Sequence, residues 1–380
     1  MFVMILAGGK GERLYPLTRD RAKPAVPFAG RYRIIDFALS NCINSGLTRI
    51  VLLTQYKSIS LDRHLRLAWH IFHYEVGGCI YSIPAQHRYG ERWYEGTADA
   101  IFQNIYTLEQ EKPEHVLILS GDHVYAMDYR PFISFHLENR ADLTMGAVLY
   151  PRKEARRFGV FEVDKEMRVL NFAEKPREPF PFPGKKSHSL VSMGIYIFKT
   201  EVLVKRVTED AKIKESSHDF GKDVIPRMIK EKDRIFTFLF EGYWRDIGTL
   251  DAYYEAHQDF LRDPPPIDLH DLSWPIRTYV PPYPPARIKG GEVKNSCISE
   301  GCVILGKVYN SFLSPGVFVD EDAVVKDSIL LENARVGKGS VVERAILDKE
   351  VRVNPGRVVK GKGFVTTEKG VAVYPKGMEV

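Results

Sequence analysis

The chain has 380 residues, enough for two domains, and its 44% hydrophobic and 27% charged residues are typical of an ordinary soluble protein. The net charge of +5 is spread thinly, with no long run of lysine or arginine, so we expect no binding of nucleic acid. The N-terminal apolar run is too short for a signal peptide, and no stretch approaches the length of a membrane span. We therefore expect a cytoplasmic protein without a membrane partner.

Cysteine usage agrees with that compartment. A chain of this size would need more than four cysteines for a disulfide framework, and it has Cys42, Cys79, Cys297 and Cys302. No further cysteine or histidine lies near the last two to complete a zinc site. We expect buried, reduced thiols.

The first predicted element is a buried strand at 2–7 that runs into a glycine-rich loop. The loop and the segment after it carry three glycines and three cations, namely Gly8, Gly9, Lys10, Gly11, Arg13 and Lys23. Glycine lets the backbone approach a ligand closely, and successive backbone N–H groups form a concavity that binds anions. The added cations indicate a site for a phosphate-rich ligand.

Two common glycine loops do not fit this segment. The dinucleotide fingerprint requires a third glycine where this chain has Leu14, and the Walker A pattern is absent. The residues at 6–18, followed by Lys23-Pro24, instead resemble the signature L-A-G-G-x-G-x-R-L-x-P-L-T and K-P of the sugar-nucleotide pyrophosphorylases.

Strand-like and helix-like segments alternate over residues 1–262. We predict strands at 2–7, 50–54, 116–120, 143–149, 192–198 and 235–240, with helices at 37–45, 97–108 and 250–260. Such alternation predicts an α/β domain with a mostly parallel, doubly wound sheet. Ligands in such sheets bind outside the carboxyl ends of the strands, which is where the glycine loop falls.

A proline-rich linker follows at 263–285. Eight of the 23 prolines lie there, too many for a helix or a central strand to persist. Trp274 and Tyr283 predict that the linker packs against a neighbouring element.

The remaining segment, 286–380, contains a repeat. Residues 310–326, 327–343 and 344–360 align without gaps at a period of 17, and they place Phe312, Ile329 and Ile346 at equivalent positions. Apolar positions at steps of about six, between polar or glycine corners, are typical of a hexapeptide β-helix. An ordinary β-sandwich does not predict three ungapped repeats.

With both parts described, the chain resembles the bacterial glucose-1-phosphate adenylyltransferases almost end to end. The matching blocks beyond the opening signature are 33–46, 54–56, 84–86, 93–100, 120–123, 172–176, 192–194, 216–223 and 243–248. The resemblance implies a Rossmann-like nucleotidyltransferase domain at 1–262 and a left-handed parallel β-helix at 286–380 that serves assembly and regulation. It also implies an allosteric homotetramer in glycogen biosynthesis.

The implied reaction is the attack of α-D-glucose 1-phosphate on the α-phosphorus of ATP, which gives ADP-glucose and pyrophosphate. Both substrates are anions, so several cations must converge before they can react. The phosphate nucleophile is already ionised near neutral pH, because a phosphate monoester has a second pKa of about 6. No catalytic histidine or serine is required.

Site residues follow from the resemblance, motif by motif. The catalytic set is Arg13, Lys23 and Asp122, and the pair that holds Mg²⁺ is Asp122 and Asp246. The nucleotide-binding set is Leu6, Ala7, Gly8, Gly9, Gly11, Gln55, Gln86, Tyr94 and Gly96. The sugar-phosphate set is Gly159, Glu174, Lys175, Ser192, Gly194, Asp219 and Trp244. Asp122 also follows an apolar strand, and two aspartates without histidine suit Mg²⁺, which prefers oxygen ligands.

Three other readings stay open on the sequence. The chain could be a pyrophosphorylase for another nucleotide sugar, or a regulatory subunit without activity, although such subunits lose the charged active-site residues that are present here. A hexapeptide-repeat acyltransferase would need more coils and a histidine, and residues 286–380 contain none.

One departure concerns regulation. Many activator-sensitive relatives carry a lysine where this chain has Asp20, and they begin with an additional N-terminal segment. The resemblance therefore predicts only weak activation by fructose 1,6-bisphosphate.

Overall fold

The computed structural model describes residues 1–72, 77–86 and 93–380. In the first part of the chain the elements are β1 (Phe2–Leu6), β2 (Pro27–Phe28), β3 (Tyr32–Arg33), α1 (Ile34–Asn44), β4 (Arg49–Thr54), α2 (Ile59–Ala68), β5 (Cys79–Pro84), α3 (Thr97–Phe102), α4 (Ile105–Glu111), β6 (His115–Ser120), β7 (His123–Tyr125), α5 (Tyr129–Glu138), β8 (Leu143–Pro151), β9 (Gly159–Val163), β10 (Val169–Glu174), β11 (His188–Lys199), α6 (Thr200–Ala211), α7 (Ile225–Lys230), β12 (Ile235–Leu239), β13 (Trp244–Asp246) and α8 (Leu250–Asp259).

The second part consists of short strands. They are β14 (Arg287–Ile288), β15 (Glu292–Lys294), β16 (Cys297–Ile298), β17 (Val303–Ile304), β18 (Lys307–Tyr309), β19 (Phe312–Leu313), β20 (Phe318–Val319), β21 (Val324–Lys326), β22 (Ile329–Leu330), β23 (Arg335–Val336), β24 (Val341–Glu343), β25 (Ala345–Leu347), β26 (Arg352–Val353), β27 (Val358–Lys360), β28 (Val365–Thr366) and β29 (Ala372–Tyr374).

A nine-stranded sheet organises the first part. Its order is β10-β9-β11-β6-β1-β4-β5, and β8 pairs with both β11 and β12. Strands β6, β1, β4 and β5 are parallel, whereas β11 runs antiparallel to β6, β8 and β9. The predicted α/β architecture is confirmed, and the sheet is mixed because β11 runs antiparallel to its three neighbours and β9 and β10 also pair antiparallel.

Alternation along the parallel strands produces a hydrophobic core on each face of the sheet. Phe2 and Met4 of β1 lie in one core, with residues of α3, α4, α6 and α7. Val3 and Ile5 lie in the other, with residues of α1, α2 and α5. Because successive side chains of a strand point to opposite faces, a strand covered on both sides must be apolar throughout.

The predicted helix at 97–108 is two helices, α3 and α4. Polar side chains at the break bond to the backbone and to their neighbours: the Asn104 amide donates to the Ala100 carbonyl at 2.8 Å, and Gln103 donates to Asp99 at 2.8 Å. Side chains of this kind compete with the helical hydrogen bonds, so the helix ends and restarts.

Three parallel sheets form the predicted β-helix. Strands 17 residues apart pair in register, so Phe312 lies opposite Ile329 and Ile329 opposite Ile346. Other apolar residues of each coil form one continuous core inside the β-helix, whereas Phe312, Ile329 and Ile346 lie in a cluster with residues of α1 and α8. The antiparallel pair β28 and β29 ends the stack. The repeat predicted from the sequence is therefore confirmed.

The segment between α8 and β14 contains no helix or strand and packs on α1. The Trp274 indole donates to Asn41 Oδ1 at 3.1 Å, and the backbone N–H of Arg277 donates to Ser40 Oγ at 2.8 Å. These contacts agree with the predicted packing of the linker.

The β-helix also packs directly on the first part of the chain. His257 of α8 lies between Phe28 and Phe312, with ring centroids 4.3 Å and 5.1 Å away. Burial lowers the pKa of His257 to about 3, so the ring is neutral. Its Nδ1–H donates to the Tyr253 carbonyl at 2.9 Å and its Nε2 accepts from the Ala29 backbone at 3.0 Å.

A buried ion pair crosses the same interface. The Arg21 guanidinium donates to both carboxylate oxygens of Asp348, at 2.8 Å and 3.2 Å, and both side chains are almost fully buried. A paired arrangement of this kind tolerates burial only while both partners are present.

We predict that Asp348→Asn lowers the free energy of unfolding by about 3–5 kcal/mol, because it leaves the Arg21 charge buried without a counterion. The urea midpoint and the melting temperature measure this loss. Asp322→Asn, at an exposed β-helix corner, is the matched control. Equal melting temperatures for Asp348→Asn and the control would contradict the prediction.

Candidate functional site

Two aspartates from distant segments meet at the carboxyl edge of the sheet. Asp122 lies just after β6, and Asp246 ends β13. The short antiparallel ladder between β7 and β13 pairs Asp246 with His123, and this ladder brings the two carboxylates together. One ligand atom from each of Asp122, His123 and Asp246 lies within 4.8 Å of the others.

The Lys23 ammonium lies between these carboxylates. It contacts Asp122 Oδ2 and lies 3.5 Å from Asp246 Oδ1. Burial opposes the charge on Lys23, but the two aspartates outweigh burial and raise the pKa of Lys23. Burial likewise opposes ionisation of Asp122, yet Lys23 holds the pKa of that carboxyl well below its usual range. Lys23 and Asp122 are therefore both charged at neutral pH.

The glycine loop lies beside this charge cluster. Gly11 has a φ of +67°, and a Cβ there would lie 3.1 Å from the Thr18 side chain and 3.2 Å from Lys23 Cβ, so a larger residue would be strained and crowded. Thr18 Oγ1 donates to the Gly11 carbonyl at 2.8 Å. Arg13 follows in a short 3-10 turn, and its guanidinium and the Asp246 carboxylate both lie near Gly248.

A cavity of about 330 Å³ opens between the glycine loop and α3. Six residues predicted to bind the nucleotide line it, namely Leu6, Gly8, Gly9, Gln55, Tyr94 and Gly96. Gln55 Oε1 accepts from the Tyr94 backbone N–H at 2.8 Å, which ties two of its walls together. Asp122 and Asp219 also line this cavity.

Three predicted nucleotide residues do not line that cavity. Ala7 is buried and bonds through its N–H to the Leu53 carbonyl at 2.9 Å, and Gly11 lies deeper in the turn. Gln86 is exposed beyond β5, where its amide donates to the Pro84 carbonyl at 3.1 Å. The structure therefore does not bring Gln86 to the other nucleotide residues.

A second cavity, of about 240 Å³, adjoins the first. All seven residues predicted to bind the sugar phosphate line it: Gly159, Glu174, Lys175, Ser192, Gly194, Asp219 and Trp244. Arg13 and Asp246 reach the same cavity. Leu6, Thr97, Ser120 and Asp219 line both cavities, so the two share a wall.

Local structure fixes the polar residues of this second cavity. Lys175 has a φ of +50°, and its ammonium lies 3.2 Å from Glu174 Oε1. Asp219 begins a turn of π-helix at Phe220–Val224, where it accepts from the Gly221 backbone at 2.9 Å. Trp244 is 6% exposed, and its indole N–H has no hydrogen-bond partner in the part of the chain that is described. A buried donor of that kind is rare unless a ligand or a water satisfies it.

Sequence reasoning missed several residues of this cavity. Arg157, Phe158 and Tyr196 line it, and His123 lies against Trp244 with ring centroids 5.1 Å apart. The two-residue alternation of β11 places Tyr196 on the same face as Ser192 and Gly194, and that alternation could have identified it. Nothing local distinguishes Arg157 from the neighbouring Arg156.

The donor set around Asp122 fits a hard divalent cation. Its carboxylate oxygens lie beside those of Asp246, and Ser120 Oγ donates to Asp122 Oδ1. Lys23 pairs with both carboxylates, which suits a site where a cation and phosphates meet. In this family the divalent metal is part of the nucleotidyltransferase chemistry.

Comparison with known proteins places this geometry in a family. Residues 2–263 match the family described as Nucleotidyl transferase, and residues 284–378 match the one described as GlmU-like, C-terminal hexapeptide. No helix within residues 1–72, 77–86 and 93–380 combines the length and hydropathy that crossing a membrane requires.

Similar proteins share nearly half of the residues. The "Glucose-1-phosphate adenylyltransferase 2" of Vibrio cholerae is 48% identical over 88% of this chain and 86% of its own length. The glucose-1-phosphate adenylyltransferases of Rhodopirellula baltica and Thiobacillus denitrificans are 47% and 48% identical over 88% of this chain and 79% of theirs. The chain therefore belongs to the glucose-1-phosphate adenylyltransferase family of nucleotidyltransferases.

Proposed function

We propose that this chain forms ADP-glucose and pyrophosphate from ATP and α-D-glucose 1-phosphate, as part of glycogen synthesis. The observation that carries the proposal is the pair of adjoining cavities, one lined by the nucleotide residues and the other by all seven sugar-phosphate residues. The Lys23, Asp122 and Asp246 cluster lies where the cavities meet.

The chemistry is a substitution at the α-phosphorus of ATP. An oxygen of the sugar phosphate forms the new bond to that phosphorus, and the bond to the bridging oxygen breaks as pyrophosphate leaves. Two unit charges 4 Å apart repel by about 4 kcal/mol at an effective dielectric constant of about 20. Arg13, Lys23 and Lys175 reduce this repulsion, since their side chains line the cavities or lie at their junction.

We assign the divalent metal as Mg²⁺, held by Asp122 and Asp246. When bound, it supplies positive charge to the phosphoryl oxygens. The Lys23 ammonium pairs with the same carboxylates, so it lies within reach of phosphates that bind beside them.

The test of the reaction is purified protein with glucose 1-phosphate, Mg²⁺ and each nucleoside triphosphate in turn, with pyrophosphate release measured. Turnover with ATP well above that with the others supports the proposal. Preference for another triphosphate would favour a pyrophosphorylase for a different nucleotide sugar. No release with any of them would favour a regulatory subunit, although Arg13, Lys23, Asp122, Lys175 and Asp246 are all present.

We also propose the division of labour predicted from the sequence, with residues 1–262 catalytic, 263–285 a linker, and 286–380 for assembly and regulation of a homotetramer. The exposed first strand β14 and the exposed Val358 offer β-helix surface that another subunit can cover. The four cysteines are free, which supports a cytoplasmic location.

We predict that Asp122→Asn lowers kcat more than a hundredfold while the fold is retained. The amide cannot supply the charge of a metal ligand, and loss of such a contact costs several kcal/mol in the transition state. Steady-state kinetics across a Mg²⁺ titration measure the effect. Asp268→Asn, at an exposed turn, is the control. A kcat within about fivefold of wild type, which is about 1 kcal/mol, would remove Asp122 from the metal site.

We predict that Lys175→Ala raises the KM for glucose 1-phosphate far more than the KM for ATP. The ammonium lies in the sugar-phosphate cavity and not in the nucleotide cavity. Lys232→Ala is the matched control, because Lys232 is also exposed and has a positive φ of 63°. Equal increases in both KM values would assign Lys175 to the triphosphate or to a structural role.

Regulation leads to a further prediction. Asp20 lines a cavity of about 340 Å³ between the two parts of the chain, among the cations Arg21, Arg31, Arg33, Arg63, Lys349 and Lys376. Four of these cations are already paired: Arg21 with Asp348, Arg31 with Glu300, Lys349 with Glu332 and Lys376 with Glu350. A bisphosphate in this cavity would therefore meet a site whose positive charge is partly neutralised.

We predict weak activation of the wild type by fructose 1,6-bisphosphate and stronger activation of Asp20→Lys. The substitution changes the local charge by two units, and even when partly screened this shifts affinity by ~1–2 kcal/mol, roughly five- to thirtyfold. Activation curves at fixed, sub-saturating ATP measure it, with Asp268→Lys as the control. Micromolar activation of the wild type, or no change on substitution, would contradict the prediction.

A further inference from the structure

His218 lies where the nucleotide cavity meets the sugar-phosphate cavity. It precedes Asp219, which lines both cavities. Its backbone also lies against Gly96, which lines the nucleotide cavity. The sequence Ser217-His218-Asp219 suggests a nucleophile with its base, but Ser217 Oγ donates to Asp223 Oδ2 at 2.6 Å and is therefore directed away from the histidine ring. The role of His218 must lie elsewhere.

The backbone of His218 joins the two walls. Its carbonyl accepts from the N–H groups of Ala98 at 2.8 Å and Asp99 at 3.3 Å, in the first turn of α3. A Cβ on Gly96 would lie 2.2 Å from that carbonyl oxygen, so only glycine allows this approach. Thr97 Oγ1 then donates to Asp219 Oδ2 at 3.1 Å, which adds a side-chain link between the walls.

His218 holds this position in a strained conformation. Its φ is +54°, in the left-handed region, which is uncommon for residues other than glycine although histidine adopts it more often than most. Such a conformation costs free energy and persists where the surrounding contacts fix it. Backbone bonds contribute to fixing it, since its N–H donates to Ser216 Oγ at 3.0 Å, and the imidazole adds further contacts.

The imidazole is anchored on a buried aspartate. Its Nδ1 lies 2.8 Å from Asp210 Oδ2, at the end of α6, and Asp210 is 1% exposed. The other oxygen of Asp210 accepts from Ser216 Oγ at 2.8 Å. On the opposite side of the ring, Nε2 lies 3.6 Å from a carboxylate oxygen of Glu95, which lines the nucleotide cavity.

We propose that His218 is a positioning residue that fixes the two substrate cavities relative to each other, with Asp210 as its anchor. It touches neither reacting group. It holds the Asp219 wall of the sugar-phosphate cavity against the Gly96 wall of the nucleotide cavity. The two reacting phosphates must meet in line. A small change in the position of one cavity relative to the other should therefore impair the reaction more than a change in the shape of either cavity. This inference rests on the proposed function.

The test compares ligands that occupy one cavity with a ligand that spans both. In equilibrium binding by calorimetry, we expect His218→Ala to weaken ADP-glucose at least tenfold, while ATP alone and glucose 1-phosphate alone each weaken by less than about threefold. His218→Asn should restore most of the loss, since its amide can donate to Asp210 and asparagine tolerates a positive φ.

Two further variants guard the interpretation. Lys232→Ala places alanine at another left-handed position, with a φ of 63°, and should leave all three affinities unchanged. Asp210→Asn removes the charge of the anchor while His218 stays in place. It should weaken the same ligand as His218→Ala, and it provides the test if the alanine variant does not fold.

The outcomes separate the two proposals. If the wild type fails to bind ADP-glucose, the proposed function is wrong. If the wild type binds ADP-glucose and the variants weaken all three ligands equally, or weaken none, His218 does not position the cavities and the inference is overturned.

Discussion

The site depends on one electrostatic constraint: two carboxylates and an ammonium must share a small, partly buried space. Asp122 and Asp246 would repel each other strongly if Lys23 did not lie between them. Lys23 in turn keeps its charge under such burial because the two aspartates outweigh the cost of desolvation. The fold must therefore bring together the end of β6, the β7–β13 ladder and the turn at Lys23. The cores on both faces of the sheet hold β6, the strand that precedes Asp122.

Local sequence patterns predict those parts of the fold in which the periodicity of the sequence determines which strands pair. The 17-residue repeat gives the β-helix pairing residue by residue, because each coil repeats the position of the one before it. Apolar runs likewise predict the central strands, since strands covered on both faces are apolar throughout. Strands β9 and β10 are not predicted: β10 is half exposed at the edge of the sheet, and β9 lies between β10 and β11, so its bounds depend on pairing with both.

The candidate site residues also divide into those that a local pattern predicts and those that it does not. Asp122 is predicted by its place at a strand end, whereas the sugar-phosphate residues come from resemblance alone, and the structure gathers all seven around one cavity. What no pattern predicts is convergence across the chain. The Arg21 and Asp348 pair joins residues 327 positions apart, and His218 contacts Asp210 only because a left-handed turn directs its ring there. Gln86 shows that a motif match does not by itself bring a side chain to the nucleotide cavity, because its amide bonds to the Pro84 carbonyl beyond β5.

The β-helix reaches the charge cluster through a chain of ion pairs. Lys369, in the turn before β29, contacts Glu255 of α8, and Glu255 accepts from Arg245 at 2.6 Å. Arg245 is the residue before Asp246 on β13. Each exposed pair of this kind contributes little to stability on its own, at most about 1 kcal/mol. Their significance is geometric: with the buried Arg21 and Asp348 pair fixing the other side of the interface, a shift of the β-helix must either break these contacts or move the strand that presents Asp246. These contacts therefore connect the two carboxylates of the charge cluster to the β-helix.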